Sequence, residues 1–209
     1  MLPHPRERRG LAAVVSAMGA AMGVVMGLAM GVVRAMAMAA LVLVAPAWAD
    51  SRPWRVIDVD DGDSFLAQDA SGQTQRVRIS GIDAPERRQP FSAQAKARLT
   101  TLLVGRSVWL RSTKQDTYGR AVAQVWLIDA ACAQPPDCPR RQDVGLTQVR
   151  EGWAWWYRAY AREQSAQDQR RYAAAEDSAR AQRLGLWRDA RPLPPWVYRR
   201  LERGQDNGR

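Results

Sequence analysis

The sequence predicts an α+β chain built mainly on a small barrel: a five-stranded Greek-key barrel of the OB type with three helices. Five short segments alternate apolar and polar residues with the period of two that a half-buried strand imposes. The stretch between the third and fourth of them changes to helical spacing, and two more helical stretches follow the last strand. Five strands interrupted by one helix suit a small barrel better than a sandwich, which usually needs seven.

The elements follow in order. Trp54 to Val59 is the first strand and leads into Asp61-Gly62-Asp63, a tight turn in which Gly62 is expected at positive φ. Ser64 to Gln68 returns, Ser71-Gly72 turns again, and Gln75 to Ile82 is the third strand, with Val77 and Ile79 alternating against Arg76, Arg78 and Ser80. Ala84-Pro85 stops it, because proline supplies no ladder donor and holds its predecessor extended. Phe91, Ala95, Leu99, Leu102 and Leu103 then share one helical face, and Gly105 ends that helix. Ser107 to Arg111 and Arg120 to Ile128 are the last two strands, with Tyr118-Gly119 at the turn before the second. Val144 to Glu151 is a helix capped by Asp143 and closed by Gly152, and Arg162 to Leu184 is a long polar helix. Pro192 to Trp196 is expected to cover the base of the domain, and residues 201–209 read as a flexible tail.

The first 49 residues differ from the rest. A basic start, an apolar Gly-rich run from Leu11 to Val33, and a small-x-small ending at Ala47-Trp48-Ala49 make a signal peptide cleaved before Asp50. Two alternatives stay open: an internal start at Met30, or an uncleaved anchor over Leu11–Val33. Asp50–Arg200 then forms one domain, exported to the periplasm or secreted. The net charge of +10 falls to about +7 once the leader is removed, which favours polyanionic partners.

The single histidine, His4, lies in the leader. The mature chain therefore cannot use a Ser-His-Asp triad or a histidine zinc site, and catalysis falls to carboxylates, arginines, tyrosines or an oxygen-bound metal. Cys132 and Cys138 bracket a loop and read as a disulfide in an exported protein, with two free thiols as the alternative. The chemistry concentrates in Asp61–Glu86: a turn carboxylate and a strand-end carboxylate with an arginine nearby suit an oxygen-ligated divalent cation beside a phosphate.

These residues resemble the staphylococcal nuclease, or thermonuclease, family. The matching blocks are Asp61-Gly-Asp63-Ser64, Arg78 with Asp83, Ile82-Asp-Ala-Pro-Glu86, Tyr118-Gly-Arg120, Val149-Arg-Glu-Gly-Trp-Ala154, Ala175 to Arg180 with Gly185-Leu-Trp187, and Pro194-Pro-Trp196. Any one is weak; the ordered set is specific and spans nearly all of Asp50–Arg200. The resemblance implies a Ca²⁺-dependent hydrolase of DNA, with RNA as a second candidate substrate, working as a monomer. Asp63, Asp83 and the Ala84 carbonyl would hold Ca²⁺, Glu86 would orient or deprotonate water, and Arg78 and Arg120 would grip the phosphate. Tyr118, Tyr160 and Lys114 would face the substrate, Lys114 replacing a family lysine whose position is Thr117 here. Two rivals accompany this reading: a barrel that binds nucleic acid without cutting it, and a membrane-anchored envelope protein.

Overall fold

Strand β1 (Trp54–Val59) bends at a bulge between Val56 and Asp58 and pairs with both β2 (Ser64–Gln68) and β5 (Ser107–Gln115). In the computed structural model, which describes residues 52–129, 132 and 142–206, the sheet runs β3-β2-β1-β5-β6-β7. Here β3 is Thr74–Ile79, β6 is Ala121–Leu127 and β7 is Gln142–Asp143. Parallel pairing of β3 with β6, Val77 opposite Ala121 and Ile79 opposite Ala123, closes five of these strands into a barrel. The OB-type barrel expected from sequence is therefore present.

The barrel closes because its strands carry one apolar face each. In β6 the alternation is strict: Ala121, Ala123, Val125 and Leu127 are buried while the residues between them are half-buried. Ala123, Val125 and Leu127 meet Val56, Phe65, Val77, Ile79 and Val108 in one core. Helix α1 (Ser92–Leu103) lays Ala95, Leu99, Leu102 and Leu103 against it. Phe91, expected on that face, instead occupies the N-cap at φ 67 and packs toward Trp155, Leu186 and Trp187.

Helix α2 (Val144–Arg150) starts at Asp143, whose Oδ1 accepts from the Leu146 amide at 3.0 Å and the Tyr172 hydroxyl at 2.9 Å; its Oδ2 accepts from Gln124 Nε2 at 2.9 Å. Burial, and then the Asp143 carboxylate, push the Tyr172 phenol well above its ordinary 10.0. Above that pH the unfolded chain gives up the proton while the folded chain keeps it, so stability falls as pH rises. Tyr172→Phe is expected to lose about 1.5–3 kcal/mol at neutral pH, the usual net value of a hydrogen bond to a charged group. Thermal melts should also show a shallower decline above about pH 10 in the variant than in the wild type.

Three expectations are corrected. The third strand stops at Ile79, because Gly81 takes φ 76 and starts a separate two-residue strand, β4 (Ile82–Asp83). The long polar helix is shorter: Arg158–Glu163 is a 3₁₀ segment, and α3 (Ala166–Ala181) begins at Ser165, whose hydroxyl accepts from the Asp168 amide. Pro195 opens a further helix, α4 (Pro195–Asp206), which runs through much of the segment read as a flexible tail. Proline suits the first turn, where its missing N–H has no partner to lose. The Cys132–Cys138 pair and the leader fall on Cys138 and Met1–Ala49, outside the described residues. Among the described residues no helix is long and apolar enough to cross a membrane.

Candidate active site

The Asp61–Asp63 turn is held by the Asp61 carboxylate, which accepts from the Asp63 amide at 3.0 Å, and by the Asp60 amide donating to the Ser64 carbonyl at 2.9 Å. Gly62 is required here for a different reason from the one expected. It is not among the positive-φ glycines; instead a Cβ there would lie 2.7 Å from the Ala84 Cβ and 2.8 Å from the Ala95 Cβ. The turn thus presses against β4, and the Asp63 Oδ2 accepts from the Ala84 amide at 2.8 Å.

Arg78 sits opposite Ser64 on β2 and opposite Val122 on β6. Its guanidinium bridges the two aspartates, donating at 2.6 Å to Asp63 Oδ1 and at 2.9 Å to Asp83 Oδ1. Both carboxylates are almost fully buried, Asp63 at 3% exposure and Asp83 at 1%. Asp83 owes its place to β8 (Trp155–Trp156), with which β4 pairs. That strand is in turn pinned by the buried Glu176, which accepts from the Trp156 amide and from Arg158.

The β5–β6 turn delivers the second arginine. Asp116 Oδ1 accepts from the Tyr118 and Arg120 amides, Gly119 takes φ 76, and Asp116 Oδ2 accepts from Arg120 Nε at 2.7 Å. Burial opposes ionisation of Asp116, but these hydrogen bonds hold its carboxyl below the usual range. Arg120 also reaches across the closure to Ser64 Oγ at 3.1 Å. Parallel β3–β6 pairing therefore places Arg78 and Arg120 on one rim.

Electrostatically the centre is loaded with acid. Burial, and then the Asp63 carboxylate, push Asp61 up to about 6. Burial raises Asp83, against hydrogen bonds from Arg199 that lower it. Arg78 is held in its charged form far above any working pH, chiefly by Asp63. Two carboxylates and the Ala84 carbonyl make an all-oxygen set of the kind that suits a hard divalent ion. In this structure the carboxylate oxygens accept from Arg78, Arg199 and the Ala84 amide, and among the described residues no group of three or more His, Cys, Asp or Glu forms a metal cage.

Asp61, Asp63, Arg78, Ala84, Arg120 and Arg199 line a cleft of about 880 Å³ together with Glu86, Tyr118, Tyr160 and Lys114, and Asp83 lies buried behind it. Tyr118 is 83% exposed beside Arg120, whose guanidinium lies 5.5 Å from its ring. Lys114 pairs with Glu163 and sits 4.6 Å from the Tyr160 ring. Tyr157 meets Tyr160 edge-on at 5.1 Å and stacks on Trp196 at 5.3 Å.

A family model described as staphylococcal nuclease homologue matches residues 76–189. The protein named ParB of Escherichia coli is 37% identical over 166 residues, 79% of this chain and 89% of that protein. A micrococcal nuclease of Shigella flexneri is 37% identical over 175 residues, covering 83% of this chain and 95% of its own. The chain belongs to the staphylococcal nuclease family. An uncharacterized endonuclease of Haemophilus influenzae is similar at 30% identity over 149 residues, 71% of this chain and 74% of that protein.

Within this nuclease-family domain, the expected Asp63, Asp83, Ala84, Arg78, Glu86 and Arg120 come together, and Tyr118, Tyr160 and Lys114 border them. Trp155 and Trp156, by contrast, are buried at 3% and 8% exposure and form wall rather than platform. Sequence reasoning missed Arg199, which forks onto Asp83 and Glu86 from α4. Its only forewarning was position: it lies three residues past Trp196, on the same helical face as a family-matching block.

Proposed function

We propose that this staphylococcal-nuclease-family enzyme is a Ca²⁺-dependent nuclease that hydrolyses phosphodiester bonds of DNA, with RNA as a second substrate. It acts as an exported monomer. The observation that carries the reading is the barrel closure, which brings two arginines, two buried aspartates and a half-exposed glutamate to one cleft. The names of two relatives, a micrococcal nuclease and an endonuclease, support the same class. Export rests on the leader sequence ending at Ala49.

Asp63, Asp83 and the Ala84 carbonyl would hold Ca²⁺, which when bound supplies positive charge to a phosphate oxygen and lowers the cost of ionising water. The protein's own groups do the rest. Arg78 and Arg120, held by Asp63, Asp83, Asp116 and Ser64, keep two fixed guanidinium charges at the cleft, so charge gathering on the phosphate oxygens meets preorganised cations instead of reorganising water. Glu86, whose side chain is 38% exposed, is placed to orient a water and take its proton, since no histidine is available. Tyr118 and Tyr160 offer ring faces to the flanking bases, and Lys114 offers charge to a neighbouring phosphate.

The test is hydrolysis of single-stranded DNA by the purified chain with Ca²⁺, then with a chelator. Cleavage is expected to fall at least about a hundredfold on chelation and to return when Ca²⁺ is restored. Binding without cleavage in Ca²⁺ would overturn the reading in favour of a non-catalytic barrel. Export is checked by N-terminal sequencing of the protein recovered outside the cytoplasm, expected to begin at Asp50.

A further inference from the structure

Helix α4 lies beyond the residues matched by the family model, yet it enters the cleft. Its first turn docks through Trp196, which stacks on Tyr157 at 5.3 Å and meets Trp155 edge-on at 6.4 Å. Three residues on, Arg199 donates from NH2 to Asp83 Oδ2 at 2.8 Å, and from NH1 to Asp83 Oδ1 at 3.2 Å and Glu86 Oε1 at 2.5 Å. A second tie runs through the buried Gln89, whose Oε1 accepts from the Glu86 amide at 2.8 Å and whose Nε2 donates to the Leu193 carbonyl at 2.8 Å. Side chain and backbone of Glu86 are thus both referred to the α4 segment.

We propose that Arg199 is a positioning residue for Glu86, so that the terminal helix completes the nuclease site. Glutamate has several rotamers, and one at this exposure keeps them in water unless a partner selects one. A guanidinium can select one, because its planar fork spans two carboxylates at once, and Asp83, fixed on β4, anchors its other end. Glu86 is then held at a set distance from the Asp63–Asp83 pair instead of sweeping through solvent.

The inference rests on Glu86 acting on the attacking water as described above, and the test separates the two. In the full chain with Ca²⁺ and single-stranded DNA, Arg199→Ala is expected to lower kcat about 10- to 100-fold with KM within twofold. Arg199→Lys should recover part of that loss, since it keeps charge without the fork. The double variant Arg199→Ala/Glu86→Gln should be no slower than Glu86→Gln alone, because a positioning group has nothing to act on once its target is gone. Unchanged kcat in Arg199→Ala would reduce the contact to a surface staple, and raised kcat would make it a plug; additive losses, or weaker DNA binding in chelator, would give it another role. Each of these overturns the proposal. Carboxyl-detected NMR of Glu86 requires no turnover: the wild type should show one ordered conformer and Arg199→Ala averaged ones, and equal order in both overturns it. Absence of cleavage by the wild type would strike the nuclease reading and leave that NMR comparison standing.

Discussion

Arg78→Ala is expected to lose both activity and stability. The first loss follows from the fixed guanidinium charge that Arg78 holds at the cleft: removing one preorganised donor from a site of developing charge costs about 10²–10³-fold in kcat. The second follows from what Arg78 touches. Asp63 and Asp83 are nearly fully buried and both accept from this one guanidinium. Deleting one partner of a buried pair leaves an uncompensated charge, typically about 3–5 kcal/mol. Here the lower part of that range applies, because Arg199 and the Ala84 amide still serve the same carboxylates. Arg78→Lys separates the effects: one ammonium retains the charge but cannot donate in a plane to both aspartates. It should melt closer to the wild type than Arg78→Ala does while keeping little of the activity. Thermal melts and single-turnover cleavage of the two variants, measured side by side, decide this; full activity in Arg78→Lys would show that charge alone suffices.

Glu86→Gln is the complementary case, a large kinetic effect with little structural cost. The side chain is half-exposed and glutamine matches its shape. The amide oxygen can still accept from Arg199, so the fold should be indifferent. What disappears is the proton acceptor, and positioned general bases contribute about 10²–10⁴-fold. kcat is therefore expected to fall by that order, while the affinity for single-stranded DNA measured in chelator stays within about twofold. Equal losses of rate and affinity would show that Glu86 helps to hold substrate and does not act on water.

The strands were legible because each one faces a single core: the alternation in β6 and in Thr74–Ile79 matches what is buried. Asp143 and Gly152 marked α2 correctly because caps are local chemistry, readable within four residues. What stayed hidden depended on distance. Gly62 looked like a turn glycine, and only the approach of Ala84 and Ala95 shows why a Cβ fails there. The fork of Arg199 joins residues more than a hundred positions apart, and no periodicity predicts such a meeting. Helix α4 was obscured by its own composition: the prolines read as a cover for the base of the domain and the polar run from Leu201 as a flexible tail, until Trp196 is seen seated on Tyr157. The clustering of Asp63, Asp83 and Glu86 was legible from sequence because the chain's only histidine is His4, far from these residues, which left carboxylates as the groups to look for.

The parallel pairing of β3 with β6 has a consequence in time. Contacts between residues far apart in the chain carry the largest loop-closure cost and form late in folding. Arg120 reaches Ser64 across 56 residues of sequence, so Arg78 and Arg120 share a rim only after that closure. A chain still being synthesised carries every one of these side chains and none of their arrangement. Its ability to cut should appear with these long-range pairings, in step with tertiary structure and after most of the helix content.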